Sequence, residues 1–198
     1  NPLHAIEAAL AAPIHQRQLT EDWLHSAHEL TNPGAQSFEK TAIERLGGLS
    51  PAARFVANVL AVAGRPLSEY DLQAVARLST AELAAATQVL EDAGFLRRIG
   101  ANLGYAHERY LKSVQEGIGT QELRDIHSRL AAALAKVAHA DSASRYEVAQ
   151  HLEGAGRSRK AAVQAMLAAE HAASIGALRE RAAALELAER VSNGTNEN

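Results

Sequence analysis

Apolar residues recur at helical spacing along most of the chain, in segments separated by glycine and proline. The clearest segment follows Leu49, where Ser50 and Pro51 precede an apolar stripe that closes at Gly64. Serine at the N-cap, proline at the first helical position and glycine after the last turn are typical helix boundaries. The pattern predicts a helix from Pro51 onward. Its apolar stripe consists of Phe55, Val56, Val59, Leu60 and Ala63.

Three shorter amphipathic segments precede this helix, at about residues 3–12, 20–30 and 38–46. Proline or glycine follows each of them, and these residues interrupt helices. We interpret residues 1–48 as a small helical bundle.

Two more helix starts are predicted by capping boxes, in which a serine and an acid three residues later each bond the other's backbone N–H group. Ser68 with Asp71 opens a short helix. Ser79 with Glu82 opens a longer helix that ends at Gly94.

A β-hairpin is predicted after these helices. Two candidate strands, at 95–99 and 103–106, flank a Gly100-Ala101-Asn102 turn, in which glycine and asparagine supply the positive φ that a tight turn requires. Three helices followed by a hairpin predict a winged helix-turn-helix over residues 49–118.

The remainder, over residues 119–191, is predicted to be helical, because apolar residues recur at spacings of three and four. Helix starts near Ser144 and Ala177 are separated by about one 34-residue tetratricopeptide (TPR) repeat. We therefore expect TPR-like antiparallel helical hairpins that continue beyond Asn198, since a stable array needs about three repeats. The tail over 192–198 is predicted to be disordered.

Composition agrees with a mainly α fold: 47% of the residues are hydrophobic, only 4% are aromatic, and cysteine is absent. No apolar run is long enough to cross a membrane and no secretory signal is visible, which favours a cytoplasmic protein. The formal net charge of −3 implies no general attraction to nucleic acid. Because the first residue is Asn1, we expect the chain to be a piece of a longer polypeptide.

Several short strings, in this order, resemble one family. They are NPL at residues 1–3, LSPAARFVANVLAVAGRPL from Leu49, AHERYLKSV from Ala106, RDIHSRLAAAL from Arg124 and VAQHLEGAGRSRKA from Val148. The chain resembles the winged-helix and helical-repeat segment of the bacterial STAND-type signal-transduction ATPases, which include LuxR-type transcriptional regulators and some adenylyl cyclases.

This resemblance implies a nucleotide-dependent regulatory role, with residues 1–48 as the helical remnant of the family's nucleotide-binding lid. His107, at the junction between the second hairpin strand and the next helix, would point toward the ADP phosphates, and Pro2 would lie beside the adenine. The alternative is that His107 only caps or packs at the strand end. This chain has no G-x-x-x-x-G-K-[ST] loop, so any ATP or ADP would be bound in the parent protein, and no cofactor is expected here.

The implied partners are an upstream nucleotide-binding domain and a downstream run of repeats or an effector domain. An inducer or a protein partner is also expected. We thus favour a non-catalytic regulatory segment that couples nucleotide state to the helical repeats by intramolecular contacts.

Two alternatives remain open. The winged helix predicts DNA binding through Gln88 of the second predicted capping-box helix and through Arg97 and Arg98 of the wing. That helix carries acids and no cation, however, which opposes contact with phosphate. The other alternative is a TPR-like scaffold that binds a protein or peptide.

The remaining histidines indicate no catalytic or metal site. His25 and His28 are three residues apart but lack the further ligands that zinc requires. His127 and His151 are interpreted as packing residues. No G-x-S-x-G elbow is present either, so we do not expect an enzyme.

Overall fold

The computed structural model describes residues 44–136 and 142–193. The first two predicted helices and most of the third lie outside the described residues, and residues 44–47, at the end of the third, are helical. The described residues from Arg45 onward belong to one compact unit. The prediction of a mainly α fold with a small β element is confirmed. In chain order the elements after residue 50 are α1 (Pro51–Ala63), β1 (Leu67–Ser68), α2 (Glu69–Ala76), α3 (Thr80–Asp92), β2 (Leu96–Ile99), β3 (Asn102–Tyr105), α4 (Glu108–Gly117), α5 (Thr120–Leu134), α6 (Ser142–Gly154), α7 (Ser158–Ser174) and α8 (Leu178–Asn193).

The predicted caps set the ends of the first helices. Ser50 accepts a hydrogen bond from the Ala53 backbone N–H at the start of α1, and Gly64 ends that helix with φ of 66°. At the start of α3, Ser79 and Glu82 form both hydrogen bonds of a capping box. These local interactions explain why α1 and α3 begin where the sequence predicts.

The three strands form an antiparallel sheet in the order β1-β3-β2. Strand β1 has only two residues, and no pattern in the sequence predicts it. The hairpin turn is also tighter than predicted: Asn102 pairs with Ile99, which leaves Gly100 and Ala101 as a two-residue turn. Gly100 alone has positive φ, of 62°, as in a type II′ turn, so the prediction that Asn102 supplies positive φ was wrong.

Elements α1 to β3 follow the order of a winged helix-turn-helix, and we call residues 51–105 with α4 the winged-helix module. Large aliphatic side chains and one aromatic ring fill its core. The Tyr105 hydroxyl donates to the Ala57 carbonyl at 2.8 Å and ties β3 to α1. The largest fully buried side chains of the module are Val56, Val59, Leu60, Leu67, Leu72, Val75, Leu90, Phe95 and Leu103.

Helices α5 to α8, which we call the helical repeats, pack each on the next in the chain, and α8 also contacts α6. Helix α6 begins at Ser142, two residues before the predicted start, and α8 extends two residues into the predicted tail. Alanine dominates the buried positions of α7, which are Ala161, Ala165, Ala168, Ala169 and Ala172. Among the described residues, no helix is both long and apolar enough to cross a lipid bilayer.

Candidate functional site

The winged-helix module meets the helical repeats along α5, which packs against both α1 and α2. Two side-chain contacts border this surface. The Asn58 amide of α1 donates to the Glu122 carboxylate of α5 at 2.9 Å. The Arg129 guanidinium lies 5.1 Å from the centroid of the Phe55 ring, within range of a cation–π interaction. We call this surface, with the residues described next, the junction.

An ion pair joins the loop after α1 to α6. Arg65 donates through Nε to Oε1 of Glu147 at 2.7 Å and through Nη2 to Oε2 at 3.1 Å. The left-handed turn at Gly64 ends α1 immediately before this arginine. A bidentate pair of this kind fixes the orientation of both partners.

Two histidine rings lie beside this ion pair. Nδ1 of His127, on α5, is 3.0 Å from Nδ1 of His151, on α6. His151 is buried and His127 half-buried. Since a hydrogen bond between two nitrogens needs one donor and one acceptor, at least one ring is neutral and accepts at Nδ1. The contact therefore depends on protonation state.

Burial, together with the smaller effects of the charges of His127 and Arg65, lowers the pKa of His151 to about 4. Burial also lowers the pKa of His127. The Glu147 Oε1 atom lies 3.9 Å from Nε2 of His151, but that carboxylate is held by Arg65. Among the described residues, Nε2 of His151 has no hydrogen-bond partner. The junction thus holds a buried imidazole in its neutral form.

Gly154 makes room for the His127 ring. A Cβ atom built on Gly154 would lie 2.6 Å from two atoms of that ring, closer than real Cβ contacts come. The last residue of α6 therefore has to be glycine for His127 to occupy its place against His151.

The structure places His107, the predicted nucleotide sensor, at the N-cap of α4. Its side chain is exposed and makes no capping hydrogen bond, and its ring centroid is 5.9 Å from that of Tyr110. Among the described residues, His107 makes no contact with His127 or His151 of the junction. Pro2, the other predicted nucleotide contact, lies outside the described residues, as do His25 and His28.

The candidate DNA contacts are exposed but mostly engaged with acids. Gln88 donates to Asp92 at 2.8 Å, and Arg98 forms ion pairs with Glu69 at 2.9 Å and with Glu91 at 3.4 Å. Only Arg97, on the wing, has no acidic partner among the described residues.

Across residues 44–136 and 142–193, no group of three or more histidine, cysteine, aspartate or glutamate side chains is arranged to hold a metal ion. Comparison with models of known protein families, with curated proteins and with solved structures finds no match for this chain.

The sequence does not indicate that the residues of the junction lie together. From the sequence, His127 and His151 are interpreted as packing residues, and Arg65 is assigned no role. The spacing of Glu147 and His151, four residues apart on one helix, was the available signal. No pattern in the sequence indicates that Arg65 reaches Glu147.

Proposed function

We propose that this chain is a regulatory segment of a signal-transducing protein, in which the winged-helix module contacts protein and not DNA. In this proposal a displacement of one module is passed to the other through the junction. The observation that carries it is the Arg65–Glu147 ion pair beside the buried His127–His151 contact.

The geometry of the junction supports coupling because its partners are held on rigid elements. Arg65 directly follows α1, whereas Glu147 and His151 lie on α6 and His127 on α5. A shift of α1 relative to α6 would break a bidentate ion pair and leave the Glu147 carboxylate facing a neutral, buried imidazole. Coupling of this kind requires an element with two arrangements that both sides can bias.

The charges of the winged-helix module support protein contact over DNA contact. Helix α3, which occupies the position of a recognition helix, contains no lysine or arginine and carries three acids, Glu82, Glu91 and Asp92. Of the two arginines on β2, Arg98 is already paired with acids. DNA binding needs cations that are free to neutralise phosphates.

The nucleotide role belongs to the parent protein. The family resemblance assigns His107 to contact with ADP, and an exposed imidazole without a cap bond is available to another domain. The test is ADP titration of a parent chain that includes the upstream region. His107→Ala is expected to weaken ADP binding. An unchanged affinity in a folded variant would make His107 a strand-end residue only.

The coupling itself is tested by hydrogen exchange on the 198-residue chain. Arg65→Gln removes the ion pair, and Arg97→Gln, an exposed arginine of the wing, is the matched control. We expect Arg65→Gln to speed amide exchange in both α1 and α6, and Arg97→Gln to leave both unchanged. Faster exchange confined to the residues around 65 would contradict coupling.

Fluorescence anisotropy with a labelled DNA duplex tests the alternative. The proposal expects no saturable binding at physiological salt. Saturable binding that Arg97→Gln weakens would favour the DNA-binding function instead.

A further inference from the structure

A surface cavity of about 430 Å³ opens between α5, α6 and the first turns of α7 in the helical repeats. This volume falls within the roughly 300–1,000 Å³ typical of small-molecule sites. Its apolar lining consists of Ala131, Ala132, Ala135, Val148, Leu152 and Val163.

Three cations line the same cavity: Arg157, Arg159 and Lys160. They are exposed, and none has an ion-pair partner among the described residues. The described lining contains no carboxylate; its other polar residues are Ser128 and Gln164. The three cations also border a second depression of about 350 Å³. An apolar wall and an unopposed positive rim thus meet in one place.

We propose that this cavity binds a small amphiphilic anion, in which an apolar body lies against the alanines and aliphatic side chains and a carboxylate or phosphate group meets the three cations. Alanine lining is what leaves the space, because larger side chains at positions 131, 132 and 135 would fill it. Arginine is well suited to the head group, since its planar guanidinium bonds carboxylate or phosphate through two N–H groups.

This proposal does not depend on the proposed regulatory function, because binding to the cavity can be measured whether or not the chain has a regulatory role. The two are neighbours in the fold, however. Val148 and Leu152 of the cavity each adjoin a junction residue of α6 in sequence, Glu147 and His151 respectively.

Calorimetric titration of the 198-residue chain with decanoate, below its micelle concentration, tests the proposal. Decanol supplies the same chain without charge, and acetate supplies the charge without the chain. We expect saturable binding of decanoate with a stoichiometry near one, and much weaker binding of either control compound. Equal affinity for decanol would overturn the role of the cations, and equal affinity for acetate would overturn the role of the apolar wall.

Two double variants test where decanoate binds. Replacing Arg159 and Lys160 by glutamine should weaken decanoate binding by about tenfold or more, since hydrogen bonds to charged groups are the stronger ones. Replacing Arg179 and Arg181 of α8 by glutamine changes the net charge equally and should have no effect. An equal loss of decanoate affinity in both double variants would overturn the proposal.

Ala132→Leu should abolish binding by filling the cavity, and circular dichroism checks that the variant folds. Because the glutamine pair lies on the surface, it tests the proposal even if Ala132→Leu does not fold. A helical peptide rich in leucine and glutamate is the last probe. If the peptide binds and decanoate does not, the site takes a protein partner and the proposal is wrong.

Discussion

The winged-helix module and the helical repeats build their cores from different residues. In the module, α1 buries Val56, Val59 and Leu60 beside three alanines, and Phe95 is the largest fully buried side chain. In the repeats, α7 buries five alanines. Small side chains let helices approach closely but remove less apolar surface from water, and hydrophobic stabilisation scales with that surface. The comparison indicates that α1 contributes large side chains to its core, whereas α7 depends on the close approach of its neighbouring helices.

Truncation in the core of the module should have the largest effect. Phe95 is 1% exposed, and its ring centroid lies 5.0 Å from that of Tyr110. Phe95→Ala is expected to lower the free energy of unfolding by about 3–5 kcal/mol, through lost apolar contact and a residual cavity. Urea unfolding followed by circular dichroism measures it. Leu178→Ala, at a position 72% exposed, is the control and should change stability by less than about 0.5 kcal/mol.

Acid should lower the stability that the junction histidines contribute between the two regions. The pKa of His151 falls from 6.5 to about 4 on folding, so the unfolded state binds a proton more readily than the folded state does. Stability from this group is therefore complete above about pH 6.5 and is lost as the pH falls toward 4, by about 3 kcal/mol in total. The lowered pKa of His127 acts in the same direction.

Urea unfolding across that pH range measures the loss, and His151→Gln should flatten its acid limb. His107→Gln, at an exposed histidine, is the control and should keep the wild-type profile. An unchanged slope in His151→Gln would mean that other groups cause the acid sensitivity.

Enlarging a buried alanine of α7 should show that this helix depends on the close approach of its neighbouring helices. Ala165 is fully buried on α7, so Ala165→Leu forces extra atoms between packed helices. We expect a loss of about 1–3 kcal/mol in unfolding free energy. Ala173→Leu, at an exposed position of the same helix, should be nearly neutral. Equal stability of the two variants would mean that the alanine core has spare room.

The smallest predicted effect is at Gly154. Gly154→Ala places a methyl group against the His127 ring, and a loss of about 1 kcal/mol is expected because the ring has to move. His127→Ala should remove that clash, so the double variant is expected to be more stable than the sum of the two single changes predicts. Gly117→Ala is the control, because its new Cβ meets nothing within 4 Å. Strict additivity of the two changes would contradict a close contact between Gly154 and His127.

Several elements were predictable from the sequence because their causes are local. The Ser50 cap, the Ser79–Glu82 capping box and the Gly64 terminus involve residues three or four positions apart. Such interactions form within one turn, so their residue spacing is visible in the chain itself. Periodicity and turn residues also predicted the order of the helices and the hairpin in the winged-helix module, and the succession of helices after it.

What only the tertiary structure decided depends on long-range packing. Strand β1 exists because its two residues pair with residues of β3. A segment of two residues is too short to show a strand periodicity in the sequence. Arg65 and Glu147 are 82 positions apart, and His127 and His151 are 24 apart. The cavity arises from how three helices are spaced around small side chains. Local sequence patterns specify which residues are apolar or charged, but the distances between separate helices are set only when those helices pack.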